Sequence, residues 1–138
     1  MTNKTKTTLL LFSFVSFIAL TAFRQTTPSI VGSWTQTEVR FVIEHRGATV
    51  SDTTTSHDKG FAISFATDGQ YQYTAPYGHK ANGTYTISGD TLQEFEPVSK
   101  STTWYKILEL SEHKLILCTH DKKIKTGADR ETITSYMG

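Results

Sequence analysis

The chain has 138 residues, with 14 basic and 13 acidic side chains and a formal net charge of +1. That near-balance argues against a basic face for nucleic acid or anionic lipid. The length suits one domain, and a single cysteine, Cys118, excludes an intramolecular disulfide.

Residues 1–23 read as a cleavable secretory signal, and 24–29 as a short linker to a domain spanning 30–138. Lys4 and Lys6 form the positive start. An apolar run over 9–22 follows, diluted by Ser13, Ser16 and Thr21. It is shorter than the about 20 apolar residues that a membrane span needs, so no stable insertion of the mature chain is expected. Ala19, Thr21 and Ala22 offer small residues for cleavage. No cysteine follows the run, which speaks against a lipid anchor on a processed N-terminal cysteine. The expected location is periplasmic or secreted. Losing Lys4 and Lys6 takes the basic count from 14 to 12 against 13 acids, a net charge of −1.

Beyond Pro28 the chain reads as strand and turn. A first strand is expected over 33–45, where Val39, Phe41 and Ile43 alternate with Arg40, Val42 and Glu44. Trp34 has the opposite parity, so a bulge is expected between them. A helix over 37–46 is the weaker alternative, because β-branched residues are frequent there. The polar stretch 47–60 reads as a long surface loop, either a mobile lid or plain disorder.

Phe61, Ile63 and Phe65 then alternate with small residues, a half-buried strand. Asp68-Gly69 is a two-residue hairpin signal, and Tyr71 and Tyr73 continue the alternation. Asn82-Gly83 marks an expected turn, followed by Tyr85 and Ile87, and Gly89-Asp90 closes another hairpin into a strand over 91–96. Two further strands are expected over 102–110 and 114–120. Both are partly apolar on both faces, as for strands covered outside as well as inside. Lys122, Lys123 and Lys125 mark a basic loop, and 130–136 is the last strand. The fold class is therefore all-β, an antiparallel up-and-down barrel of about eight strands, with a two-sheet β-sandwich as the alternative.

The motifs Ile30-Val31-Gly32-Ser33-Trp34, Phe65-x-x-Asp68-Gly69-x-Tyr71 and Gly83-x-Tyr85-x-Ile87-x-Gly89-Asp90-x-Leu92, with Arg130 in the last strand, resemble small exported bacterial lipocalin-like domains. The resemblance covers roughly the whole of residues 30–136. It implies that Trp34, in the motif opened by Gly32, lies at the closed end of a calycin-type barrel. It also implies that Arg130 packs over that ring. Such a cation–π contact is worth about 0.5–2 kcal/mol.

Chemistry-bearing patterns are sparse. His45, His57, His79, His113 and His120 show no metal-ligand spacing and read as solvated, so no metal is expected. Ser33 lacks the second glycine of a nucleophile elbow. Glu94 and Glu96 share a strand face, read here as a wet outer face. Asn82-Gly83-Thr84 matches a glycosylation sequon that a turn would explain without a sugar. Cys118, in an apolar run, reads as a buried inert thiol. Catalytic residues and cofactors are not expected.

The aromatics remain. Phe61, Ile63, Phe65, Tyr71, Tyr73 and Tyr85 are expected to face one interior and line a ligand site. The expected function is an exported, non-enzymatic binding protein for a small hydrophobic or amphipathic molecule. The alternative is an interaction module that binds another exported protein through its loop rim or outer surface.

Overall fold

The computed structural model describes residues 28–56, 60–123 and 127–138. The expected signal and most of the linker lie outside the described residues. Nine strands follow one another: β1 Gly32–His45, β2 Ala48–Ser56, β3 Ala62–Phe65, β4 Gln70–Thr74, β5 Lys80–Ser88, β6 Thr91–Glu96, β7 Ser101–Leu110, β8 Lys114–Lys123 and β9 Ala128–Met137. All neighbours pair antiparallel, and β1 also pairs with β9. That contact closes β1 and β3–β9 into an eight-stranded barrel. Closure removes the free edges of a sheet. The two-sheet sandwich is thereby excluded, and so is a helix over 37–46.

β1 divides its outer edge between two partners. Residues from Gly32 to Thr35 pair with β3, and those from Glu38 to His45 pair with β2. Its other edge runs along β9, with a register shift between Gln36 and Glu38. This is the expected bulge. It lets Trp34 and Gln36 face inward before it and Val39 after it, all three buried.

β2 corrects the reading of 47–60 as a loop. Residues Ala48 to Ser56 pair with β1, while 57–59 lie outside the described residues. The physical reason is that β2 gains backbone hydrogen bonds without burial. All its residues except half-buried Ser51 are exposed, so its sequence carries no inward–outward alternation. Arg40 and Asp52 form an ion pair across β1 and β2 at 2.6 Å.

Asn82-Gly83 is likewise not a turn. It lies inside β5, and the β4–β5 connection instead holds a 3-10 turn at Pro76–Gly78, with Tyr77 at φ 64° and Gly78 at φ 79°. Gly83 is a close-approach glycine. A Cβ there would stand 1.9 Å from the Phe95 carbonyl oxygen and 2.9 Å from the Tyr71 ring. The Asp68-Gly69 hairpin forms, but Ala66 and Gln70 bond across a three-residue loop, Thr67 to Gly69, rather than the expected two. Gly69 sits at φ 83°, and the Gln70 amide donates to the Asp68 carboxylate at 3.0 Å.

The core gathers at one end of the barrel. Ile30, Trp34, Phe65, Leu92, Leu115 and Leu117 are buried there together. On β7 the expected outer cover is not found among the described residues: Trp104 and Leu108 are 58% and 48% exposed. On β8, Cys118 is buried. Lys122 belongs to β8 rather than to a loop, and residues 124–126 lie outside the described residues. Among the described residues no helix is long and apolar enough to cross a membrane.

Candidate functional site in the barrel interior

Alternation on eight strands points one side chain in two toward the axis. These chains line an open-mouthed cavity of about 400 Å³. β1 contributes Gln36, β3 Ile63, and β4 Tyr71 and Tyr73. β5 contributes Ala81, β6 Glu94, and β7 Thr103 and Tyr105. β8 adds Thr119, and β9 adds Thr132, Thr134 and Tyr136. Every barrel strand therefore takes part. Pairing between β7 and β8 runs from Leu110↔Leu115 only as far as Lys106↔Cys118, so β7 from Ser101 to Tyr105 is paired only to β6.

The wall is chemically mixed. Glu94 is 6% exposed and Gln36 is 7% exposed. The Tyr105 hydroxyl donates to the Glu94 carboxylate. Among the described residues, Glu94 Oε1 has no hydrogen-bond partner. An unpaired buried oxygen of this kind costs on the order of 1–3 kcal/mol. Burial pushes the Glu94 carboxyl up to about 7, against the lowering effect of the Tyr105 hydrogen bond. Burial also raises Tyr105 and Tyr136, and the nearby Glu94 charge adds to both. Tyr71 and Tyr73 are raised by burial as well. The phenols are thus held neutral as hydrogen-bonding groups.

Glu94 corrects its reading as part of a wet outer face. Its parity matches that of fully buried Leu92, which places it inward. Glu96 does not join it as a carboxylate pair. It accepts the amides of Val98 and Ser99 at 2.9 and 2.8 Å and caps the following turn.

The six expected lining residues separate by height. Ile63, Tyr71 and Tyr73 border the cavity. Phe65 lies in the core, where it packs edge-to-face on Tyr85 with ring centroids 4.9 Å apart. The Tyr85 hydroxyl donates to the Ala66 carbonyl at 2.7 Å, turning its polar end away from the interior. Phe61 packs on Tyr73 with centroids 6.4 Å apart. Sequence reasoning missed Glu94, Gln36, Tyr105 and Tyr136. The available signal was a charged residue two positions from a core leucine on one strand.

Trp34 sits in the core at 3% exposure. Arg130 does not pack over it. Arg130 is paired in register with Ile43 of β1, while Trp34 lies nine residues earlier on that strand, opposite Ile63. It makes an exposed ion pair with Asp121 at 3.5 Å. Gly138 lies against the indole instead: a Cβ there would be 3.1 Å from Trp34 Cζ3.

On the outside of the barrel, β8 and β9 bring Cys118, His120 and Glu131 together. The Cys118 thiol donates to Glu131 Oε1 at 3.3 Å, and His120 Nε2 lies 3.4 Å from Glu131 Oε2. Their potential ligand atoms lie within 4.8 Å of one another, a grouping that strand-by-strand spacing did not reveal. Each of the three already has a partner within the group.

No family model and no curated protein matches the chain. Among solved structures it is similar to a lipocalin-like protein from Bacteroides uniformis ATCC 8492, at 15% identity and a TM-score of 0.48. That match covers 75% of this chain and 96% of the other. It is also similar to an uncharacterized protein from Bacteroides eggerthii DSM 20697, at 12% identity and a TM-score of 0.47, covering 76% of this chain and 98% of the other. The chain's own topology is an antiparallel barrel of eight strands closed by β1 and β9, with Trp34 in the core.

Proposed function

We propose that this chain is an exported binding protein that holds a small amphipathic molecule inside its barrel. The carrying observation is the interior cavity, whose wall joins apolar ring surface to a buried carboxylate oxygen that lacks a partner. Its volume lies at the small end of ligand sites, which run from about 300 to 1,000 Å³. A dry structural core would have no use for Glu94 at this place, because burying an unpaired polar group is unfavourable. The reading is non-catalytic. It takes Glu94 and the neutral phenols as the hydrogen-bonding groups of a binding wall.

The test is a titration of the mature protein with N-phenyl-1-naphthylamine, a neutral amphipathic dye, beside native mass spectrometry of protein from its own host. The reading expects a saturable fluorescence change that Ala81→Phe abolishes, because Ala81 is a small residue on the cavity wall. A flat titration together with protein of bare polypeptide mass would overturn it.

A second reading, an interaction module, draws on Trp104 and Leu108, which leave apolar surface open on the outer face of β7. Co-purification of an exported partner that Trp104→Glu releases would favour it.

A further inference from the structure

We propose that the occupant of the barrel interior is a small organic cation, an amine with an attached apolar group. In this assignment Glu94 is its counter-ion and Tyr71, Tyr73, Tyr105 and Tyr136 form the surrounding wall. The assignment rests on the binding-protein reading and narrows it to one charge class.

Among the described residues, the cavity's only ionisable groups besides Glu94 are the four phenols, and no lysine, arginine or histidine borders it. An anionic ligand would meet the ionised Glu94 carboxylate with no cationic side chain among the described wall residues to offset the repulsion. A purely apolar ligand would leave Glu94 Oε1 unpartnered and strip water from the threonines of β7, β8 and β9. An ammonium group answers both features. It donates a charge-assisted hydrogen bond to Oε1, the strong kind of hydrogen bond. It also presents positive charge to aromatic rings, whose faces are electron-rich and attract cations within about 6 Å.

The surroundings set the rest of the ligand. On the cavity wall Ile63 and the tyrosine rings offer apolar surface against which a tail can lie. A bare metal ion does not suit the site. Among the described residues Glu94 is the only carboxylate on the wall, and the neighbouring phenols are held protonated by burial. Hard cations want several oxygen ligands, commonly six or so. With one carboxylate available, a monovalent organic cation balances the charge.

The experiment compares shape-matched probes by calorimetry on the mature protein: phenethylamine against 2-phenylethanol and phenylacetate, and butylamine against 1-butanol. The assignment expects each amine to bind at least about tenfold more tightly than its alcohol, a difference of about 1.4 kcal/mol. Phenylacetate should be the weakest. Glu94→Gln should erase the amine preference over the alcohol. Ala81→Phe should weaken all probes alike.

Equal binding of amine and alcohol, or tighter binding of phenylacetate, overturns the cation assignment and leaves the binding-protein reading standing. Survival of the amine preference in Glu94→Gln overturns it as well. Absence of saturable binding by every probe overturns the assignment, and the dye titration then decides whether the wider reading falls with it. The wild-type comparison needs no variant, so the test holds even if Glu94→Gln folds poorly.

Discussion

The indole N–H of Trp34 donates to the carbonyl of Ile30 at 2.7 Å, inside the buried end of the barrel. The segment leading into β1 thus folds under the ring and satisfies its only polar atom. Large aromatic side chains become fully buried without penalty when such a partner is found. The partner comes from four residues upstream in the chain rather than from the last strand.

Two substitutions separate these possibilities. Trp34→Ala should cost about 3–5 kcal/mol, the usual range for removing a large buried ring. Arg130→Ala should cost less than about 1 kcal/mol, because it breaks only an exposed ion pair with Asp121. Urea unfolding of both variants checks the contrast. A loss of several kcal/mol in Arg130→Ala would mean that the arginine supports the core after all.

Glu94 should leave a signature in the pH dependence of stability. Its folded carboxyl titrates at about 7, above the ordinary value of 4.5. Below the lower value the proton is bound in both states. Between the two values the unfolded chain releases it while the folded chain keeps it, so stability falls as pH rises. Above the higher value the loss is complete and constant, on the order of 3 kcal/mol. Glu94→Gln cannot ionise. Its stability relative to wild type should therefore grow between about pH 4 and about pH 8 and then level off. Thermal melts of both proteins across that range would show a constant difference if Glu94 were solvated.

Gly83 should tolerate no side chain. Gly83→Ala would press its methyl against the Phe95 carbonyl and the Tyr71 ring, so β5 and β6 must separate. Overpacking of this kind typically costs about 1–3 kcal/mol, and a rigid backbone neighbour favours the upper end. Gly89 offers a contrast. A Cβ there meets nothing within 4 Å, so Gly89→Asn should be mild, asparagine being tolerant of its positive φ of 61°. Chemical denaturation of the two variants gives the comparison, and equal costs would refute the close-approach role.

Cys118 should react slowly. Burial first, and then the hydrogen bond to Glu131, push its thiol up to about 11. The thiolate is the reactive form, so little of it exists near neutral pH. Labelling by a disulfide reagent at about pH 8 should be at least about tenfold slower in the native protein than in urea. Glu131→Gln should speed native labelling by removing the carboxylate charge beside the thiol. Native labelling as fast as the unfolded rate would place the thiol on an open surface.

Local alternation made much of the barrel legible. Phe61, Ile63 and Phe65, then Tyr71 and Tyr73, have the period of two that only a strand uses, and the opposite parity of Trp34 and Val39 required the bulge found at Gln36–Glu38. These features depend on neighbours within a few residues, so the sequence by itself determined them. Which face of each strand points inward depends on register across the sheet. Glu94 was therefore ambiguous until β6 was seen between β5 and β7, with Leu92 on the buried side. β2 was hidden because pairing alone, without burial, leaves no pattern in side-chain chemistry. Gly83 carried a strong turn signal, yet a glycine answers equally to a tight turn and to a crowding neighbour, and only the tertiary approach of Phe95 and Tyr71 decided between them. Arg130 shows the same limit. Its strand was evident, but its distance from Trp34 was set by the antiparallel register of β1 and β9, a relation between residues far apart in the chain that no local pattern encodes.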